Sequence, residues 1–186
     1  DQLKVDQIFC CTPAYVAADL LGLDILKEIP YAPVAVVGLS FNKKDFKNIP
    51  DGFGYLIPST ENKQVLGVLL ESNVFKRSGA DASKVFIRVM IGGRNHPEII
   101  HETSKHAVDT AIKEIDSIYG LTGSPQHISV KLWAKAIAQY EMEYPTIKHE
   151  LKIFLAQNLN LHLCANYLDG ISFNDCIKNA KSIAAL

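Results

Sequence analysis

The stretch from Leu161 to Leu186 contains the clearest candidate for a ligand-binding element. A short apolar run leads into a turn built on Asn166, Asp169 and Gly170, and a helical pattern then continues to the chain end. Glycine and Asn tolerate the positive φ angles of a tight strand-to-helix crossing. Asn174 and Asp175 would fall in the first helical turn, where polar and acidic side chains suit the exposed amides and the positive end of the helix dipole. Such a helix start can donate N–H groups to an anion or an electron-rich oxygen, although the same pattern also closes an ordinary α/β domain.

The segment from Gly170 to Ile177 reads GISFNDCI and resembles the C-terminal flavin-contacting segment of the oxygen-dependent protoporphyrinogen oxidases, a group within the flavin-containing amine oxidases. In that family the turn and the helix start lie under the isoalloxazine ring, and backbone amides reach its pyrimidine oxygen. The chain departs from the family at Ala165, where glycine is usual, and at Asp169, where either a second glycine or an acidic residue is found. The added methyl of Ala165 is expected to crowd a close backbone approach to the cofactor. The resemblance implies flavin contacts from Gly170, Ile171, Ser172 and Phe173.

Most of the remaining chain follows the same family in order and spacing. The segment Trp133–Tyr140 resembles the family's tryptophan segment beside the flavin, with Ala138 in place of the usual proline. The resemblance therefore adds Trp133 to the flavin contacts. The other matching segments are Pro33–Phe41, GFGYLIPS at 52–59, LGVL at 66–69 and VMIGG at 89–93.

Three apolar positions match substrate contacts of the family. Leu56 and Leu69 match residues that hold one face of the tetrapyrrole, and Met90 matches a residue that stacks on the other face. Without the resemblance, all three would be interpreted as ordinary sheet core. The assignment is physically sensible, because a flat apolar macrocycle needs apolar walls and Met adapts its shape to such ligands.

The resemblance implies a flavoprotein oxidase of haem biosynthesis that oxidises protoporphyrinogen IX to protoporphyrin IX with FAD and molecular oxygen and releases peroxide. The cofactor carries this chemistry, and the protein supplies orientation and electrostatics. No His, Asp or Glu lies in a motif that demands a general base, so no catalytic residue is predicted. Two alternatives stay open. One is oxidation of coproporphyrinogen III to coproporphyrin III, and the other is a non-catalytic porphyrin-binding or structural domain when the chain is separated from an N-terminal half.

The sequence lacks the motifs that hold the rest of the cofactor. Flavin enzymes of this family begin with a GxGxxG turn that binds the pyrophosphate at a helix N-terminus, and no such turn occurs here. The acidic residue for the adenosine ribose and the N-terminal arginine segment for a substrate propionate are also absent. We therefore expect this chain to be the C-terminal part of a longer enzyme whose N-terminal flavin-binding half is its partner. Alone, it is expected neither to retain FAD nor to turn over.

Composition excludes several other classes of function. Hydrophobic residues make up 48% and charged residues 21% of the chain, and the net charge of −1 does not favour nucleic acid as a partner. No apolar run approaches the length of a membrane-spanning helix, and there is no export signal, so a cytoplasmic location is predicted. Peripheral association with the inner face of the cell membrane stays open. So does a homodimer formed through the flavin-facing surface.

Neither the cysteines nor the histidines indicate a metal site. The four cysteines lack CxxC spacing, and the six histidines are scattered without ligand spacing. We predict that all four cysteines are reduced core residues of a cytosolic protein.

These residues must be positioned by an α+β fold, a mixed and mainly antiparallel sheet packed with helices. It would comprise a substrate domain at 26–150 and the C-terminal part of a flavin-binding α/β domain, formed by a return strand and helix at 1–25 and a strand-turn-helix at 151–186. Apolar alternation predicts strands at Ile8–Cys11, Pro33–Phe41, Phe53–Ile57, Gln64–Glu71, Val85–Ile91 and His127–Trp133. Three-to-four-residue periodicity predicts helices at Ala14–Leu21, Thr103–Tyr119 and Ile147–Phe154.

Overall fold

The computed structural model describes residues 2–49, 51–75 and 81–184. The chain divides into two compact units, one formed by residues 32–136 and the other by residues 1–31 together with 137–186. The strands are β1 (Ile8–Cys10), β2 (Tyr31–Asn42), β3 (Gly54–Leu56), β4 (Val65–Leu70), β5 (Lys84–Gly92), β6 (His127–Ala138) and β7 (Leu161–Leu163). The helices are α1 (Ala14–Leu21), α2 (Glu71–Val74), α3 (Ser104–Tyr119), α4 (Tyr144–Gln157) and α5 (Phe173–Ala184), with short 3-10 turns between them.

The unit at 32–136 is built on a five-stranded sheet in the order β3-β4-β5-β2-β6. The pairs β3–β4, β4–β5 and β5–β2 are antiparallel. Side chains alternate between the two faces of a strand, and β5 follows this rule closely. Val85, Ile87, Val89 and Ile91 are buried, while the residues between them point to the opposite face. We call the face that carries the buried residues the core face and the opposite one the outer face.

Helix α3 covers the core face of this sheet. Thr103 caps the helix by accepting a hydrogen bond from the His106 amide at 3.1 Å, and Gly120 ends it with a positive φ of 65°. Its apolar stripe is buried against the strands, as the helical periodicity requires. Glu114 is also buried on this stripe, and Lys63 neutralises it at 3.0 Å.

The other unit, residues 1–31 and 137–186, contains a separate apolar core. Strands β1 and β7 pair in parallel, with Cys10 opposite Leu163, and α1 and α4 contribute buried residues to the same core. Tyr167 and Leu26 are its largest fully buried side chains. Parallel strands are normally covered on both faces and belong to larger sheets, so this two-stranded pair has the character of one part of an α/β sheet.

The predicted α+β class and every predicted strand and helix of the described residues are confirmed, with differences at some ends. β6 continues to Ala138 instead of stopping at Trp133. α4 begins at Tyr144 because Pro145, whose ring fits the first helical turn, opens it before the apolar pattern starts. The predicted continuation of the last helix to Leu186 lies outside the described residues, as do the ends of the domains predicted at 1–25 and 151–186.

The prediction for the cysteines is partly wrong. Cys10 is buried in the core, but Cys11 is exposed, and Cys164 and Cys176 are half-buried. Alternation explains the difference, since Cys10 faces inward and its neighbour must face the other way. Among the described helices, none is long and apolar enough to cross a membrane.

Candidate functional site

The three predicted substrate residues lie on one face of the sheet in the unit at 32–136. Leu56 on β3 is paired with Gly67 on β4, and Gly67 is paired with Met90 on β5. Residues directly opposite each other on neighbouring strands point to the same face. Leu69 belongs to the next row, opposite Arg88, and points the same way. The structure therefore brings Leu56, Leu69 and Met90 together on the outer face.

Gly67 lies between Leu56 and Met90 in this row and is buried. A Cβ atom at Gly67 would lie 2.8 Å from the Leu56 Cδ2 atom, so the leucine side chain leans over this glycine. Because neighbouring strands are about 4.8 Å apart, β3 and β5 are separated by about 10 Å across Gly67. A flat ligand resting on the sheet would meet all three side chains from one side. Only a ligand standing on edge over Gly67 would have Leu56 and Met90 on its opposite faces.

Trp133 lies on the same outer face, at its β6 edge. The Ser129 hydroxyl is 2.5 Å from where a Cβ of Gly38 would stand, so Ser129 and Gly38 point to one side, and Gly38 is paired with Arg88. Alternation along β6 then places Trp133 on this side too. The Lys131 ammonium confirms the shared orientation, because it lies 5.0 Å from the centroid of the Trp133 ring. The tryptophan is half exposed.

The predicted flavin-contacting turn lies in the other unit and is held by two tyrosines. The Tyr140 hydroxyl donates to the Asn166 carbonyl at 3.1 Å and accepts from the Gly170 amide at 3.2 Å. The Tyr144 hydroxyl donates to the Tyr167 carbonyl at 2.8 Å. Burial raises the pKa of Tyr144 to about 12, so this phenol keeps its proton and remains a donor. The turn is thus held in one conformation, and the Gly170 amide already has an acceptor.

The helix start after this turn is capped by its own side chains. The Ser172 hydroxyl accepts a hydrogen bond from the Asp175 amide at 3.1 Å and donates to the Asp175 carboxylate at 2.5 Å. The hydrogen bond from Ser172 holds the pKa of Asp175 below its usual range. The first backbone hydrogen bond of the helix runs from the Cys176 amide to the Ser172 carbonyl at 3.0 Å. The amides of Phe173 and Asn174 therefore have no intrahelical acceptor, and they are the donors that a ligand could use. Phe173 is 80% exposed and Ile171 is 39% exposed, which leaves an apolar surface beside those donors.

The two departures from the family pattern have clear structural settings. Asp169 adopts a φ of 55°, a conformation in which glycine is favoured and Asp is tolerated. Its carboxylate forms an ion pair with Lys148. The methyl of Ala165 is buried in the core of its unit, away from the exposed surface of the turn.

We expect Asp169→Ala to lower the free energy of unfolding by about 1–2 kcal/mol, because alanine disfavours the left-handed conformation. Asp169→Gly should change it by less than about 0.5 kcal/mol, since relief of this strain offsets an exposed ion pair of small value. Urea unfolding followed by circular dichroism would measure both free energies. Asp169→Asn is the control, because it removes the charge and keeps a residue type that tolerates a positive φ. Equal stabilities for the alanine and glycine variants would contradict the assigned backbone conformation.

Comparison with known proteins decides the family. The family model described as flavin containing amine oxidoreductase matches residues 1–186, the whole chain. This chain belongs to the flavin-containing amine oxidoreductase family. The predicted resemblance is therefore confirmed, and with it the assignment to a family of flavin enzymes.

Named relatives within the family agree with the finer resemblance. The protoporphyrinogen oxidase of Dictyostelium discoideum is 28% identical over 92% of this chain and 37% of its own length. The human protoporphyrinogen oxidase is 26% identical over 98% of this chain and 40% of its own length. The chain thus spans well under half of the length of these relatives. A solved protein from an Exiguobacterium species shares the fold, with a TM-score of 0.77 at 17% identity over 97% of this chain and 40% of that protein.

Sequence reasoning missed four residues that shape these surfaces. Tyr140 and Tyr144 hold the turn, and no local pattern connects them with a segment more than twenty residues later. Arg88 and Lys131 lie on the outer face beside Met90 and Trp133. Alternation was a usable signal for both, because each stands two residues from a predicted site residue on the same strand.

Proposed function

We propose that this chain forms the substrate-binding wall and part of the flavin site of an FAD-dependent porphyrinogen oxidase that acts on protoporphyrinogen IX. The observation that carries the proposal is the convergence of Leu56, Leu69, Met90 and Trp133 on one face of the sheet, in a family of flavin oxidoreductases. An apolar, partly exposed surface of this kind suits a flat macrocycle. The names of the relatives supply the substrate class.

The residues of this chain would bind and orient the substrate. Leu56 is 79% exposed, so it contributes little to the core of the unit and is available for contact with a ligand. Contact with the macrocycle would remove this apolar surface from water and exclude water from the reacting carbon. Because the Leu56 side chain lies over Gly67, the macrocycle would rest on this leucine rather than on the glycine backbone.

The flavin contacts at Gly170, Ile171, Ser172 and Phe173 remain a proposal, supported by the geometry of the turn. The flavin contact of Trp133 remains a proposal that rests on the family resemblance alone. The helix start offers the amides of Phe173 and Asn174, and Ile171 and Phe173 offer apolar surface. These groups fit the polar pyrimidine edge and the flat body of an isoalloxazine ring. The chemistry that FAD supplies when bound is hydride acceptance from the macrocycle and reoxidation by molecular oxygen with release of peroxide. The N–H donors of the helix start would stabilise negative charge beside them, although the Asp175 carboxylate at the same helix start reduces this effect.

We propose that the partner of this chain is an N-terminal flavin-binding half of the same protein. The parallel pair β1–β7 supports this, because such strands are stable within larger covered sheets. The chain's coverage of 37% and 40% of its named relatives supports it as well. We also propose that the full-length enzyme is cytoplasmic and contacts the membrane peripherally. We further propose that it forms a homodimer.

Oxidation of coproporphyrinogen III is the second candidate. It is favoured by Arg88 and Lys131, two cationic side chains on the outer face beside the predicted substrate residues. Coproporphyrinogen has four propionates where protoporphyrinogen has two. The ratio of kcat/KM for the two substrates on the full-length enzyme would separate the candidates.

We expect the isolated chain to show no flavin absorption band after incubation with FAD and gel filtration. Most cofactor contacts in this family come from the dinucleotide-binding fold, whose GxGxxG turn this sequence lacks. The same chain co-expressed with the N-terminal half should elute with FAD near one per complex. A flavin band that survives gel filtration of the chain alone would contradict the proposed division of the cofactor site. Absence of the flavin band from both samples would contradict the proposal that this chain forms part of a flavin site.

A further inference from the structure

A pocket of about 470 Å³ opens on the outer face between β5, β2 and β6. Gly38 lies within it on β2, the middle one of these three strands, with Arg88 on one side and Ser129 on the other. The absence of a side chain at Gly38 creates much of the depression, because a Cβ there would collide with the Ser129 hydroxyl. Its polar lining also includes Lys131, His127, Glu71 and Ser40.

The pocket carries an excess of positive charge. Arg88 forms an ion pair with Glu71, and Lys131 bears a second positive charge, while the described lining residues include no carboxylate besides Glu71. The Glu71 side chain is only 17% exposed, whereas that of Arg88 is 47% exposed, so the acid is largely covered and the guanidinium remains accessible. A guanidinium has five N–H donors, and a single carboxylate uses at most two of them in a fork. Glu71 therefore orients Arg88 and leaves donors for another acceptor.

The pocket is continuous with the predicted macrocycle surface. Val36 lines the pocket and is paired with Met90 across the strands. Arg88 precedes Met90 by two residues on β5, and it is paired with Leu69 on β4. Lys131 lies against the Trp133 ring. A ligand on Met90 and Leu69 would thus have an edge beside two cations.

We propose that this pocket binds a carboxylate of the tetrapyrrole substrate, with Arg88 and Lys131 as its ligands and Glu71 as the residue that positions Arg88. The inference rests on the proposed function, because it takes the macrocycle to lie on the adjoining apolar residues. A porphyrinogen is apolar over its rings and anionic at its propionates, and the outer face pairs an apolar surface with a cationic pocket in the same arrangement. Binding of the carboxylate in the pocket would fix the orientation of the macrocycle, because the edge that carries this carboxylate would have to point from Met90 toward Arg88 and Lys131.

The test compares protoporphyrin IX with its dimethyl ester, which has the same rings and no carboxylates. Binding of each to the full-length holoenzyme is measured by fluorescence quenching. The unmodified enzyme should bind the diacid about 10-fold more tightly than the ester, the effect of one charge-assisted contact. Arg88→Gln and Lys131→Gln should each reduce this ratio to within about 3-fold and raise KM for the porphyrinogen while leaving kcat unchanged.

Matched variants separate recognition from folding and from general charge. Lys131→Gln leaves the Arg88–Glu71 pair intact, so its effect cannot arise from an unpaired buried acid. Lys113→Gln, on the exposed side of α3, removes the same charge away from the outer face and should not change the ratio. Arg88→Lys keeps the charge without the fork and should restore part of the preference.

An enzyme that binds diacid and ester equally, or whose preference survives both Gln variants, would overturn the carboxylate site and leave the proposed function standing. A holoenzyme that binds neither porphyrin and oxidises no porphyrinogen would overturn both. A carboxylate side chain of the N-terminal half, seated on Arg88 in a structure of the full-length protein, would also overturn the site.

Discussion

Leu56→Asp is expected to raise KM for the porphyrinogen by about 100-fold while leaving the folded protein as stable as before. Leu56 is 79% exposed, so the substitution removes little buried surface, and a change at such a position normally alters stability by less than about 0.5 kcal/mol. Placing a carboxylate against an apolar macrocycle is far more costly, because the charge must be desolvated without a partner. A cost of about 2.7 kcal/mol corresponds to the expected factor of about 100. Steady-state kinetics of porphyrin formation and thermal unfolding would be measured on the same preparation.

Ile118→Asp is the matched control for this change. Ile118 is also an exposed aliphatic residue, at 51%, but it lies on α3, which covers the opposite face of the sheet. The control variant should keep KM within about 3-fold and lose about as little stability as Leu56→Asp. If Leu56→Asp left KM unchanged, or if both variants raised it equally, the outer face would not be the substrate surface.

Gly170→Val is expected to abolish flavin retention by the full-length enzyme. Gly170 has a φ of 131°, which side-chain-bearing residues rarely adopt, and a Cβ there would stand 2.5 Å from the Cβ of Asp175. Either the turn or the first turn of α5 must move, and the N–H groups of the helix start move with it. The bound flavin should fall from about nine-tenths to below about a tenth of the protein concentration, which corresponds to a roughly 80-fold weaker affinity, or a loss of about 2.6 kcal/mol of cofactor binding. The visible flavin band of the purified variant measures this directly.

Gly22→Ala controls for the general cost of replacing a glycine that has positive φ. Gly22 has a φ of 66° at the end of α1, and no atom lies within 4 Å of the added Cβ. This variant should lose about 1 kcal/mol of stability and keep its flavin. Full flavin occupancy in Gly170→Val would show that the turn at 166–172 is not part of the cofactor site.

Local signals predicted the elements well. The alternation in β5 and the periodicity of α3 follow directly from the side-chain directions of strands and helices, and capping by Thr103 and Gly120 is readable from residue type alone. The strand-turn-helix at the chain end was predicted from the turn residues Asp169 and Gly170, which adopt positive φ angles in the structure, whereas the cap formed by Ser172 was not predicted.

Relationships across the chain were not predictable from local patterns. The hydrogen bonds of Tyr140 and Tyr144 to the turn depend on tertiary packing, which residue spacing does not encode. Likewise, the placement of Leu56, Gly67 and Met90 in one cross-strand row depends on the register of β3, β4 and β5. The family resemblance implies that Met90 contacts the opposite face of the macrocycle from Leu56 and Leu69. In the structure, the register places all three side chains on the same side of the sheet. The substrate contacts that the family resemblance implies for Leu56, Leu69 and Met90 stay predictions, and the register shows how a flat ligand could meet these side chains.

The most direct test is the rate at which the full-length protein containing this chain converts protoporphyrinogen IX to fluorescent protoporphyrin IX in air-saturated buffer. We expect FAD-dependent turnover with consumption of oxygen, and a kcat/KM that falls about 100-fold in Leu56→Asp and stays within about 3-fold in Ile118→Asp. A flavin-loaded enzyme that does not oxidise the porphyrinogen faster than the buffer alone would contradict the proposed function.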